Sequence, residues 1–161
     1  NTEINDFGPL AKSENVKILN LQLKDAVDKG AKIQFQMRIP NIQTFFPPTI
    51  IDNVNSSMKV YSEETFGPLF TIITFTDIED AINVANDTQY GLGSSIWTKN
   101  ISMAQNFAKH INAGSVFINE MTHSDPKLPF GGINLSGFGR ELSSYGLKEF
   151  VNIKTVFLGD N

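Results

Sequence analysis

The 161-residue chain contains no cysteine. That excludes a disulfide framework, a thiolate metal site and a cysteine nucleophile within these residues. Histidine is nearly absent too, with only His110 and His123. Neither belongs to a His/Cys/Asp/Glu cluster of metal-ligand spacing, and no nucleophile elbow accompanies them to suggest a Ser-His-Asp arrangement. No apolar run approaches the roughly 18–20 residues that cross a bilayer, and no signal peptide is visible. No basic cluster is present either. Lys and Arg number 13 against 17 Asp and Glu, for a net charge of −4, which argues against a nucleic-acid or anionic-membrane partner. Internal repeats and low-complexity segments are also lacking.

What is present is enough apolar sequence for the core of one domain. Residues 1–12 carry Gly8 and Pro9 and read as an opening loop. Val16, Leu19, Leu23, Ala26 and Val27 make one helical stripe over 13–29, with Ser13 as its N-cap and Gly30 as its stop. Strands are expected over 31–36, over 45–54 and over 69–75. The Gln36–Asn41 stretch between the first two is a turn of undetermined shape. Pro47-Pro48 confines the second strand to an edge or places the prolines at its first residues. Residues 56–62 read as a turn or short helix.

Thr76 and Glu79 have capping-box spacing ahead of a stripe at Ile78, Ala81, Ile82 and Ala85. Strand 94–98 follows. Asn100 then caps a helix with inner face Ile101, Ala104, Phe107, Ala108 and Ile111, which Gly114 ends before strand 115–119. A short helix at 143–148 and a last strand at 150–158 complete the chain. Strands alternating with helices imply an α/β fold, a parallel-type sheet with helical crossovers.

One stretch, beyond its opening strand at 115–119, fits neither element type. From Ser115 to Glu141 the chain reads SVFINEMTHSDPKLPFGGINLSGFGRE, with glycines at 131, 132, 137 and 139. Glycine admits positive φ and close backbone approach. Long irregular loops inside a domain are functional or disordered. Gly137-Phe138-Gly139-Arg140 is no dinucleotide fingerprint, because Leu142 stands at the third glycine position and no strand–turn–helix order surrounds it.

The order FIN, LPFGG, SGFGREL, then Glu149-Phe150 and Asn152-Ile153-Lys154-Thr155-Val156 resembles the C-terminal end of the aldehyde dehydrogenase superfamily, and is most similar to succinate-semialdehyde dehydrogenases. Glu63-Glu64-Thr65-Phe66-Gly67-Pro68 and Ala85-Asn86-Asp87-Thr88-Gln89-Tyr90-Gly91-Leu92 agree. The resemblance implies the C-terminal portion of a longer cytoplasmic enzyme. That enzyme would oxidise a small-molecule aldehyde, succinate semialdehyde above all, with NAD or NADP. The route implied is a thiohemiacetal on a cysteine outside this chain, hydride transfer, and thioester hydrolysis.

By position, Glu64 would hold the nicotinamide ribose and Phe66 would pack near the ring, while Glu63 receives no role. Phe130 would wall the substrate tunnel, and Ser124 would hold a distal carboxylate. Without the resemblance, Ser124 is a turn serine before Asp125-Pro126, and Glu64 a solvated carboxylate. Asp125 is expected to face away from an anionic substrate, and His123 to lie at the surface. Arg140-Glu141 reads as a structural pair or as solvated. Residues 1–149 would belong to the catalytic domain. Residues 150–161 would form an oligomerisation strand and tail, joining subunits into a homo-oligomer through 150–158. The competing expectations are an edge strand within the same subunit and, for the whole chain, a stand-alone non-catalytic binding or assembly module.

Overall fold

The longest helical stripe folds as expected into α1 (Ser13–Asp28) in the computed structural model of the chain, which describes residues 7–38 and 44–160. Expectations for residues 1–6 and for Ile39-Pro40-Asn41 lie outside the described residues. Leu19, Gln22 and Ala26 are the buried positions of α1, at the 3–4 spacing of one helical face. Val27, expected on that face, is exposed. Gly30 sits at φ +103°, its N–H donating to the Val27 carbonyl, and the Ala31 N–H reaches the Ala26 carbonyl. This pair of bonds is the Schellman stop that favours glycine. At the other end the expectation for Ser13 fails. Lys12 is the N-cap, and its carbonyl accepts from the Asn15 N–H, while the Ser13 hydroxyl turns to Glu14.

The residues divide into two compact units, Asn1–Phe75 and Thr76–Asn161. In the first, β1 (Lys32–Gln36), β2 (Thr49–Asp52) and β3 (Leu69–Thr71) form a sheet in the order β1-β2-β3. The β2–β3 pair is parallel, connected through the short helix α2 (Lys59–Ser62). The β1–β2 pair is antiparallel, which corrects the all-parallel expectation. Alternation reveals a strand but not its direction. β2 is central rather than an edge, and Pro47-Pro48 stand just before it, where no ladder N–H is needed. Thr49 and Ile51 face the core with Leu19, Ala26, Phe46, Met58 and Leu69. The expected strands shorten to the residues that find partners: Thr49↔Leu69, Ile50↔Phe70 and Ile51↔Thr71.

α1 also anchors α2. Asp25 accepts from the Lys59 N–H at 2.8 Å, a cap supplied from another helix, and pairs with Lys29 at 2.8 Å. The Lys29 hydrogen bond foremost, then that from the Lys59 backbone, holds the Asp25 carboxyl below its ordinary value.

In the second unit, α3 (Ile78–Asn86) is capped by Asp77, whose side chain accepts from the Asp80 N–H. Thr76 was the expected cap, but its N–H and hydroxyl instead contact the Asp80 carboxylate. β4 (Gly93–Ile96), α4 (Ile101–Ala108) and β5 (Ser115–Ile118) form one parallel β-α-β crossover, with Asn100 capping α4 as expected. α5 (Ser143–Lys148) follows. Residues 150–158 belong to no strand of either sheet, and Phe150, Phe157 and Leu158 are almost fully exposed. The expected strand therefore finds no strand partner among the described residues, and a strand without a partner does not constitute a sheet. None of the described helices is long and apolar enough to cross a membrane.

Candidate functional site

In the first unit the chain leaves α2 at Glu63 in extended conformation. It then makes two tight turns, Gly67 N–H to the Thr65 carbonyl at 2.9 Å and Leu69 N–H to the Gly67 carbonyl at 2.8 Å, before entering β3. Glu64 and Phe66 both project to solvent, Phe66 with 68% of its surface exposed. The Glu64 carboxylate has no hydrogen-bond partner among the described residues.

The rear of the turn rests on α1. A Cβ on Gly67 would lie 2.4 Å from Leu19 Cδ1, so only glycine lets the turn sit this close without displacing that side chain. One turn along α1, Gln22 is 2% exposed. Its Nε2 donates to Glu63 Oε2 at 3.1 Å and to the Glu64 carbonyl at 3.3 Å. Its Oε1 is buried with no partner among the described residues, a deficit that costs about 1–3 kcal/mol in general. Sequence reasoning missed Gln22 because it followed apolar residues only. The signal was available in its spacing, three residues after Leu19 and four before Ala26. Glu63, read as a residue without a role, is exposed yet bonded to Gln22.

In the second unit Asn119 ends β5 at φ +55°. Its amide grips Thr98 in both directions, Oδ1 accepting from the Thr98 N–H at 2.8 Å and Nδ2 donating to its carbonyl at 2.9 Å. The loop beyond borders an open cavity of about 470 Å³ whose lining includes Phe117, His123, Asp125, Leu128, Pro129 and Phe130. Ser124 is exposed and is not among the lining residues.

His123 and Asp125 both border the cavity; His123 is exposed, as expected of a surface histidine, and Asp125 is half-buried. The reasons are local. The His123 ring packs on Phe117 at 5.0 Å, with Nδ1 2.9 Å from the Met121 carbonyl. Asp125 Oδ1 accepts from the Lys127 N–H at 2.8 Å, an Asx turn that fixes its side chain.

Phe130 is half-buried and held by an antiparallel bridge to Glu141, with bonds of 2.9 and 2.6 Å. The glycines beside it are close backbone contacts. A Cβ on Gly114 would lie 1.6 Å from the Gly131 carbonyl oxygen, and one on Gly131 would lie 2.7 Å from that of Gly139. Gly137 and Gly139 have φ of +122° and +74°, in the region that favours glycine. Arg140 makes no pair with Glu141. Its Nη1 donates to the carbonyls of Gly132 and Gly139, tying the two glycine turns together.

The profile described as the aldehyde dehydrogenase family matches residues 1–156. A succinate-semialdehyde dehydrogenase [NADP(+)] from Mycobacterium leprae (strain TN) is 46% identical over 154 residues, covering 95% of this chain and 34% of the relative. The crystal structure of a succinic semialdehyde dehydrogenase from Streptococcus pyogenes with NADP+ superposes with a TM-score of 0.91 at 37% identity, over 99% of this chain and 35% of that one. A betaine aldehyde dehydrogenase from Staphylococcus aureus with NAD+ gives 0.84 at 34% identity, over 91% and 30%. The chain thus spans about a third of the length of these relatives.

Proposed function

Because the chain belongs to the aldehyde dehydrogenase family, we propose that it forms part of an NAD(P)-dependent enzyme that oxidises an aldehyde to a carboxylic acid, with succinate semialdehyde as the substrate. The observation that carries the proposal is the turn at Glu64 and Phe66. An exposed carboxylate without a hydrogen-bond partner among the described residues stands two residues from an exposed phenyl ring, on a turn braced from behind by Leu19 and Gln22. These residues fit a nicotinamide nucleoside. A ribose offers hydroxyl donors to a free carboxylate, in the stronger charge-assisted kind of hydrogen bond, and a planar ring packs on an apolar face. When bound, the nicotinamide serves as acceptor for the hydride leaving the substrate.

In this reading Glu64 orients the ribose and Phe66 limits how the ring can tilt. Phe130 contributes an apolar wall to the substrate passage, and Ser124 donates from the loop to a distal carboxylate. The thiolate nucleophile comes from outside these residues, which hold no cysteine. Residues 1–149 serve the catalytic domain, and 150–158 pair with a neighbouring subunit in a homo-oligomer. The exposed apolar side chains of that segment, and its lack of strand pairing among the described residues, support the last point. The two relatives named for succinate semialdehyde, both with NADP+, support the substrate, and these together with the betaine aldehyde dehydrogenase bound to NAD+ support a nicotinamide cofactor.

The test is Glu64→Gln in the full-length enzyme. Single-turnover reduction of cofactor should slow by about tenfold or more, with a smaller change in cofactor affinity, because misplacement costs rate before it costs binding. Reduction at wild-type speed would overturn the assignment.

A further inference from the structure

We infer that Gln22, tied down by Glu63, is the positioning residue for Glu64. This rests on the proposed role of Glu64. Gln22 lies on the buried face of α1, 2% exposed, and spends both of its bonds on the segment that carries Glu64. The amide orientation follows from the partners, since a carboxylate oxygen and a carbonyl both accept. A bond to the Glu64 carbonyl fixes the backbone and leaves the Glu64 side chain free to face solvent. The second bond, to Glu63, keeps the amide from rotating away.

Packing alone does not account for a glutamine here. An apolar side chain of the same length would fill the site without leaving Oε1 buried and unpartnered. Leu19, one helical turn away, presses on Gly67 from the same face, so α1 holds the turn at both ends of the Glu63–Gly67 segment. Small displacements of a group that orients a reactant cost up to about a hundredfold in rate.

The experiment uses the full-length enzyme with Gln22→Met, Glu63→Ala, Glu64→Gln and the Gln22→Met/Glu64→Gln double variant. Methionine keeps the length and removes the donor. Hydrogen exchange of the 63–67 segment in cofactor-free protein is read first. It should rise about tenfold in Gln22→Met, and in the same direction but less in Glu63→Ala, a surface change that cannot open the core. Single-turnover reduction should fall about 10- to 100-fold in Gln22→Met, yet change less than about twofold when Glu64 is already Gln. A merely structural role would give equal losses in both backgrounds, and that result overturns the inference. Unchanged exchange in both Gln22→Met and Glu63→Ala overturns it as well. Wild-type speed in Glu64→Gln brings down the ribose reading separately, and the cofactor-free exchange still decides for or against Gln22.

Discussion

Gly114 leaves no room for even a methyl group. Its Cβ would overlap the Gly131 carbonyl oxygen at 1.6 Å and approach the Leu92 carbonyl oxygen at 3.1 Å, both of them backbone atoms that cannot swing aside. Gly114→Ala should therefore destabilise the protein by about 3 kcal/mol, the upper end of ordinary overpacking, whereas Gly159→Ala, with open space around it, should be near neutral. Urea midpoints of the two variants check this. Sequence spacing identified Gly114 as a helix stop and Gly131 as part of a loop, but it carries no information about which distant backbone lies opposite. The same limit governed the loop after Asn119. That it was a loop could be read from its glycines and prolines. Which of His123, Ser124 and Asp125 borders the cavity depends on an Asx turn and a ring contact, and these set side-chain direction only once the chain is folded.

At the scale of elements, α1 organises the first unit: it packs on the core, caps α2 through Asp25 and braces the Glu64 turn through Gln22. The Asp25 carboxyl is held below its ordinary 3.8 by the Lys29 hydrogen bond and then by the Lys59 N–H. A folded value below the unfolded one means that the stabilisation is present above 3.8 and is lost as pH falls through the lower folded value. Asp25→Asn, which keeps an acceptor for Lys59 but removes the charge, should lower the urea midpoint at neutral pH. The difference from wild type should vanish at pH well below 3.8, and a constant difference would refute the charge argument. Helix positions were legible because 3.6-residue spacing and Gly30 are local signals. Caps were less so, since Lys12 and Asp77 won over Ser13 and Thr76 through backbone and carboxylate acceptors lying one residue away. Strand direction and strand pairing are non-local, and residue alternation is silent about both.

For the whole molecule, the motif blocks carried the family, because their order survives where single residues are ambiguous. The separation into Asn1–Phe75 and Thr76–Asn161 was not legible, for no proline- or glycine-rich linker marks the junction. The chain spans about a third of its relatives and exposes Phe138, Phe150, Phe157 and Leu158 almost completely. These features bear on what the 161 residues can do alone. Covalent aldehyde oxidation needs an activated nucleophile, and the side chain proposed for that task is missing from the composition. The role proposed for Glu64 and Phe66 is to orient a cofactor, and neither side chain can form or break the bond to the aldehyde carbon. The isolated chain, shown to be folded by circular dichroism and of verified mass, should produce no reduced nicotinamide from NAD or NADP with succinate semialdehyde or an uncharged aldehyde. The full-length enzyme should produce it under the same conditions. Turnover by the isolated chain above a buffer control would mean that the reaction does not pass through a cysteine, and the proposed division of labour between this segment and the rest of the enzyme would fall with it.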